Sequence, residues 1–204
     1  MERPATSSKA TDTFAVMVTG DGGWRRIDER VAQRLRAQGI PVAGFLASDY
    51  FRTERTPDQS AEALARVIRE YQTKWQRPHV ILIGYSRGAD ALPFMVSRLP
   101  AELRASTKLV ALLGLESWID FKYNPSWTLA HYREHPKRFD VAPEVEKLRG
   151  LNVLCVYGAK EKDTLCPALD PKAFMIVREP GGHHFDGRYS EVGDAIVSAL
   201  ARSR

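Results

Sequence analysis

At 204 residues, 44% hydrophobic and 27% charged, the chain suits one domain with a sizeable core and has an ordinary globular composition. No apolar run approaches the roughly 18 residues that a membrane helix requires. The net charge is +5, with no basic run interleaved with aromatics, which argues against nucleic acid and leaves only a weak attraction to anionic lipid headgroups. The two cysteines, Cys155 and Cys166, are too few for a metal centre; they read as a buried residue and a stray thiol, or as one disulfide if the protein is exported.

Residues 1–12 are polar and lack the apolar segment of a secretory signal. They are expected to be a disordered lead-in or a boundary from which an exported precursor's signal has been removed. A single domain is expected over 13–204. Phe14 to Thr19 reads as a buried strand, followed by the loop Gly20-Asp21-Gly22-Gly23-Trp24. Ile27, Val31 and Leu35 recur at helical spacing, and the helix stops at Gly39. Ile40 to Leu46 is a second strand. Thr56-Pro57-Asp58-Gln59 is a helix start, with Thr56 as cap and Gln59 closing a capping box. Leu64, Ile68, Tyr71 and Trp75 then form an apolar stripe. His79 to Ile83 is the third strand, and Ala89 to Leu99 a helix that Pro93 is expected to kink. Lys108 to Gly114 is the fourth strand. Glu116 to His135 is irregular and reads as a loop with a short helix over the sheet edge. A short helix over Val141 to Leu148, strands at Leu151 to Gly158 and Ala173 to Val177, and a final helix marked by Val192, Ile196 and Leu200 complete the chain.

Continuous apolar strands alternating with helices predict an open, doubly wound, mostly parallel α/β sheet of about six strands, with its site at the carboxyl ends of the strands. Gly84-Tyr85-Ser86-Arg87-Gly88 joins a strand to a helix there, the pattern of a nucleophile elbow. A serine needs a base, and of the five histidines only His183 and His184 directly follow a strand, the sixth. His183 is taken as the base, with His184 as the alternative. The orienting acid belongs after the fifth strand. Asp163, further out on that loop, is preferred, and Glu161 is the alternative. Oxyanion donors are expected from the backbone of Arg87 and of Gly22 and Gly23. The chemistry calls for no cofactor and no metal.

The blocks Gly20 to Trp24, Gly84 to Phe94 and Pro180 to Gly187 together resemble the AcvB/VirJ family of bacterial α/β-hydrolase-fold proteins, as do Asn124 to Trp127 and Tyr157 to Cys166. The resemblance runs from about Phe14 to the C-terminus, and AcvB-like members carry an additional N-terminal domain that it does not include. Arg87 departs from the pattern, which leads one to expect an aromatic there. The resemblance implies a periplasmic serine esterase that hydrolyses aminoacylated phosphatidylglycerol, chiefly the lysyl lipid, at the membrane surface, and an association with type IV secretion and virulence. A periplasmic location in turn implies a Cys155–Cys166 disulfide tethering the acid-bearing loop. The ammonium groups of such a substrate need carboxylates, for which Asp21, Asp90, Glu116 and Asp186 are the candidates, and an apolar rim, for which Trp24, Trp118 and Trp127 are.

Overall fold

The computed structural model describes residues 1–7, 11–124, 126 and 137–202. Its strands are β1 (Glu2–Arg3), β2 (Thr13–Val18), β3 (Val42–Phe45), β4 (His79–Tyr85), β5 (Thr107–Leu113), β6 (Trp118–Ile119), β7 (Phe139–Asp140), β8 (Val153–Gly158) and β9 (Met175–Glu179). Its helices are α1 (Arg26–Ala37), α2 (Ala47–Tyr50), α3 (Pro57–Trp75), α4 (Arg87–Ser97), α5 (Ala101–Ala105), α6 (Ala142–Glu146) and α7 (Tyr189–Arg202). The main sheet has seven strands in the order β1-β3-β2-β4-β5-β8-β9. All its pairings are parallel except that of β1 with β3. The strand beyond the expected six is β1, so part of the lead-in read as disordered closes the sheet edge.

The period of two along each strand divides the core. Val16, Val18, Leu82, Val110 and Leu112 face a layer built from α3, α4, α5 and α6. Ala15, Met17, Ile81, Ile83 and Leu113 face α1 and α7. Helix α1 buries Ile27, Val31 and Leu35, as its spacing predicts. Helix α3 starts as expected: Gln59 N donates to Thr56 Oγ1 at 3.1 Å, and Thr56 N donates to Gln59 Oε1 at 3.0 Å. Helix α4 runs through Pro93 to Ser97. The irregular stretch after β5 contributes an antiparallel ribbon, in which Trp118 pairs with Asp140 and Ile119 with Phe139. Among the described residues no helix is long and apolar enough to cross a membrane.

From β2 the chain steps outward to β3, then returns to the other side of β2 to form β4. This reversal opens a crevice at the carboxyl ends of β2 and β4, where open α/β sheets bind ligands. The two loops that meet there are the glycine-rich loop after β2 and the serine turn after β4. They meet because α4 lies against backbone. A Cβ on Gly88 would sit 2.1 Å from the Val18 carbonyl oxygen, and one on Gly84 would sit 2.3 Å from the Gly88 oxygen. A methyl group at 88 therefore forces α4 off β2. Gly88→Ala is expected to lower stability by about 3 kcal/mol or to prevent folding. Gly182→Ala, where a Cβ meets nothing within 4 Å, is expected to stay within about 0.5 kcal/mol of the parent. Denaturant melts of the two variants check this; equal midpoints would refute the packing argument.

Candidate active site

Ser86 has φ 53° and ψ −126°, a left-handed conformation that costs a non-glycine residue about 1–3 kcal/mol. Its neighbours hold it there. Ser86 N donates to the Leu113 carbonyl at 2.9 Å, and the Ser86 carbonyl accepts from Ala89 N at 2.7 Å and Asp90 N at 3.0 Å. The side chain is thus lifted off the end of β4 at the N-terminus of α4. The backbone N–H of Arg87 belongs to the first turn of that helix, where N–H groups point out of the helix end.

His183 stands on the turn after β9 and lines one cavity with Ser86. Its Nδ1 lies 2.5 Å from Glu161 Oε1. The acid at the imidazole is therefore Glu161, the alternative, and Asp163 is displaced from the role expected of it. The reason is the local fold of the loop. Glu161 N donates to the Gly158 carbonyl at 2.9 Å and Lys160 N to the Gly181 carbonyl at 2.7 Å, so the chain turns back toward the histidine immediately after β8. The other Glu161 oxygen accepts from Gly158 N at 3.0 Å, fixing the carboxylate's orientation. Asp163 lies beyond this turn and is exposed. Gly114, at φ 65°, leaves room for the pair; a Cβ there would lie 2.8 Å from His183 Cε1. Burial by itself lowers the pKa of His183, but the hydrogen bond and charge of Glu161 outweigh it and hold the imidazole above its ordinary value.

His184 is turned elsewhere. Its Nδ1 is 2.7 Å from the Tyr85 hydroxyl, and burial raises the pKa of that phenol, keeping it protonated. The Tyr85 ring also stacks on His183, with centroids 5.4 Å apart and planes at 28°. Tyr85, read only as part of the elbow pattern, thus holds both histidines. Cys155 in β8 and Cys166 form the expected disulfide, with Cα atoms 5.6 Å apart. It closes a loop that carries Glu161.

The loop after β2 supplies the opposite wall. Gly23 N donates to the Gly20 carbonyl at 3.1 Å, so it is committed to a turn and is not available as an oxyanion donor, contrary to expectation. Gly22 remains beside Ser86 in the shared cavity. The Arg87 side chain, unexplained by the sequence, is buried. Its Nε and Nη2 both donate to the Asp21 carboxylate, the latter at 3.3 Å, and its Nη1 donates to the Asp120 carbonyl at 2.5 Å. It also lies over the Tyr123 ring, 5.5 Å from the centroid. Arg87 therefore ties the β2 loop to the segment after β6.

Two hollows flank Ser86. One, of about 100 Å³, is lined by Asp21, Arg87, Asp90, Glu116, Trp118 and Asp120 along with Ser86 and Ile119. Asp120 was not singled out by the sequence. Asp90 is buried and accepts from Glu116 N at 2.8 Å. Its pKa stands well above the ordinary carboxylate range, by burial first and then by the negative charge of Glu116, with the Glu116 N–H and Arg87 acting the other way. The second hollow, of about 420 Å³, holds His183, Arg25 and Arg26. Trp24 lines neither hollow, contrary to expectation. Its indole N–H donates to Glu29 at 2.9 Å and its ring packs under Arg3, toward the β1 edge. Asp186 borders a separate surface hollow with Lys160 and Gly181, away from Ser86. Trp127 lies outside the described residues.

The fold, a strained serine after β4 and a histidine–carboxylate pair after β9 and β8 define a protein of the α/β-hydrolase class. The family described as "Bacterial virulence protein (VirJ)" matches residues 12–204, and the chain belongs to that family. Solved structures share the fold at low identity. Est1E from Butyrivibrio proteoclasticus aligns with a TM-score of 0.68 and 14% identity, over 98% of this chain and 93% of that one. The esterase domain of a Rhodothermus marinus protein aligns at 0.67 and 14%, over 98% and 91%. XC6422 from Xanthomonas campestris, an α/β serine hydrolase without a lid, aligns at 0.62 and 16%, over 98% and 87%. No curated protein matches the sequence.

The two acids make opposite predictions. Glu161→Gln is expected to lower kcat by roughly 10³–10⁴-fold and to move the acid limb of the kcat/KM profile to lower pH, since the group that raises the His183 pKa is gone. Asp163→Asn is expected to stay within about threefold. Steady-state pH profiles with a generic ester decide; a larger loss in the Asp163 variant would restore it as the acid. Separately, thiol titration of the unreduced, unfolded protein is expected to find no free cysteine. Cys155→Ser/Cys166→Ser is expected to be less stable by about 3 kcal/mol, the loop-closure value for a span of this size. Two free thiols would remove the tether.

Proposed function

We propose that the protein is a serine carboxylic-ester hydrolase that cleaves the aminoacyl ester of aminoacylated phosphatidylglycerol, with the lysyl lipid as its chief substrate. Ser86 Oγ attacks the aminoacyl carbonyl as His183 removes its proton. The carbonyl oxygen, now an oxyanion, is stabilised by the backbone N–H groups of Arg87 and the Gly22 region. The bond to the glycerol oxygen then breaks, and His183 delivers its proton to that oxygen. Water, deprotonated by the same imidazole, hydrolyses the acyl-enzyme and releases the amino acid. Glu161 holds the imidazole in the working tautomer and stabilises the imidazolium.

The observation that carries the substrate class is the acidic hollow beside Ser86. Asp21, Asp90, Glu116 and Asp120 converge there with one cation, Arg87. Asp90, whose pKa is raised by burial first and then by the negative charge of Glu116, is relieved by an incoming cation, so an ammonium-bearing acyl group is favoured over a neutral one. Trp118, over which Arg138 stacks at 5.2 Å, supplies an apolar side to the same hollow. Family membership and the disulfide support an extracytoplasmic, periplasmic location, because disulfides persist in oxidising compartments.

A fluorophosphonate probe is expected to label the wild type and not Ser86→Ala. Absence of labelling would remove the enzymatic reading and leave a binding role in a secretion apparatus. Lipid extracts incubated with wild type are expected to lose lysyl-phosphatidylglycerol, and those incubated with Ser86→Ala to retain it. A labelled enzyme that leaves the lipid untouched would be an esterase or thioesterase of soluble acyl substrates. Glu116→Gln is expected to reduce kcat/KM for lysyl esters about tenfold, the equivalent of about 1.4 kcal/mol, and to change neutral acyl esters less than twofold.

A further inference from the structure

The two hollows share Asp21 and Ser86 and differ in everything else that is charged. His183 lines the larger hollow and not the acidic one. In a serine hydrolase the imidazole returns its proton to the departing alcohol oxygen, so the alcohol half of the ester must lie on the imidazole's side of the serine. That side has a floor formed by Ile27, Tyr85 and Tyr189, with Arg25 and Arg26 at its margin. Both arginines are exposed, and among the described residues neither guanidinium is ion-paired, whereas nearby Arg3, Arg34 and Arg36 all are. The Arg25 side chain is folded back across the loop after β2. A Cβ on Gly22 would lie 2.9 Å from Arg25 Nε, so glycine at 22 is what lets the guanidinium approach the mouth of the cavity.

We propose that Arg25 and Arg26 form an alcohol-side subsite for a phosphodiester. The substrate is then read at both ends: an ammonium in the acidic hollow and a phosphate on the arginine side, with the ester between them over Ser86. Guanidinium groups suit this task, because their planar donor fork matches phosphate oxygens and their charge does not titrate. The cation-bearing acyl half is repelled from the arginine side and the phosphate from the acidic side. The two hollows therefore fix which way round the ester binds as well as what it contains. This proposal rests on the Ser86 and His183 roles given above. The phosphodiester can belong to a lipid in a membrane or to a soluble glycerophosphate.

The test compares kcat/KM for the lysyl ester of glycerol, the lysyl ester of glycerophosphoglycerol and lysyl-phosphatidylglycerol in vesicles. Wild type is expected to prefer the soluble phosphodiester over the glycerol ester by at least about tenfold, a margin that salt weakens. Arg25→Gln/Arg26→Gln is expected to bring the ratio close to one. A wild-type ratio near one, or a preference that survives in the double variant, would overturn the subsite. So would a loss confined to vesicles, which places the arginines against the membrane surface instead of the substrate's phosphate. If wild type cleaves no lysyl ester, the aminoacyl reading fails, and the subsite is judged on binding alone. Glycerophosphoglycerol titrated into Ser86→Ala is expected to bind at least about tenfold more tightly than to the same protein with both arginines replaced. Equal or undetectable binding overturns the proposal.

Discussion

The position of Ser86 depends on backbone touching backbone. Helix α4 approaches β2 and β4 so closely that Gly84 and Gly88 have no room for a Cβ. This contact holds the serine in a conformation its own side chain disfavours. The strain is sustained because hydrogen bonds on both sides of the residue, to β5 and to the first turn of α4, would be lost if the turn relaxed. The loops after β2, β8 and β9 are placed relative to that turn by parallel register, since β2, β4, β5, β8 and β9 are consecutive neighbours in one sheet. Residues far apart in sequence thus reach one crevice without any long loop.

What the sequence made legible is what depends on strand ends. The apolar runs, the helix caps and the elbow are local signals, and strand order does the rest. That is why spacing brings Ser86, the His183–His184 pair and the loop after β2 to one sheet edge, while leaving the two histidines equivalent. Details below the length of one turn were not legible. Glu161 and Asp163 are two residues apart on a loop of unremarkable composition, and the choice between them is made by where the chain folds back. Two backbone hydrogen bonds to Gly158 and Gly181 decide it, and no side-chain pattern announces them. The same holds for Gly23, whose N–H is spent on a turn, and for Trp24, whose indole finds Glu29 five residues on. Aromatic residues near a site motif are poor guides, because an aromatic with a polar edge goes wherever burial and a hydrogen bond coincide.

Arg87 shows how a departure from a family pattern can be structural. The Arg87 side chain is buried and does not project into solvent. It instead clamps Asp21 and the Asp120 carbonyl, joining the loop after β2 to the segment after β6. The clamp is a buried charge with several acceptors around it. Such an arrangement is costly to break, because the carboxylate would be left beside Asp90 and Glu116 without its counter-charge.

That neutralisation also sets the limits on the acidic hollow. Asp90, buried beside Glu116, holds its proton more tightly than an ordinary carboxylate, by burial first and by the charge of Glu116 second, and Arg87 offsets part of that shift. His183 carries the opposite constraint. Its pKa is raised by Glu161, so it is neutral, and able to act as a base, only above that raised value. Both groups therefore reach their working states as pH rises: the imidazole loses a proton to become a base, and the hollow loses one to become more anionic. An ammonium entering the hollow pushes in the same direction at Asp90, since a positive charge favours the ionised carboxylate. For the substrate proposed above, a cationic acyl group would thus prepare its own pocket. A neutral acyl group, which does nothing to the Asp90 equilibrium, must displace water from buried carboxylates without any charge to compensate them.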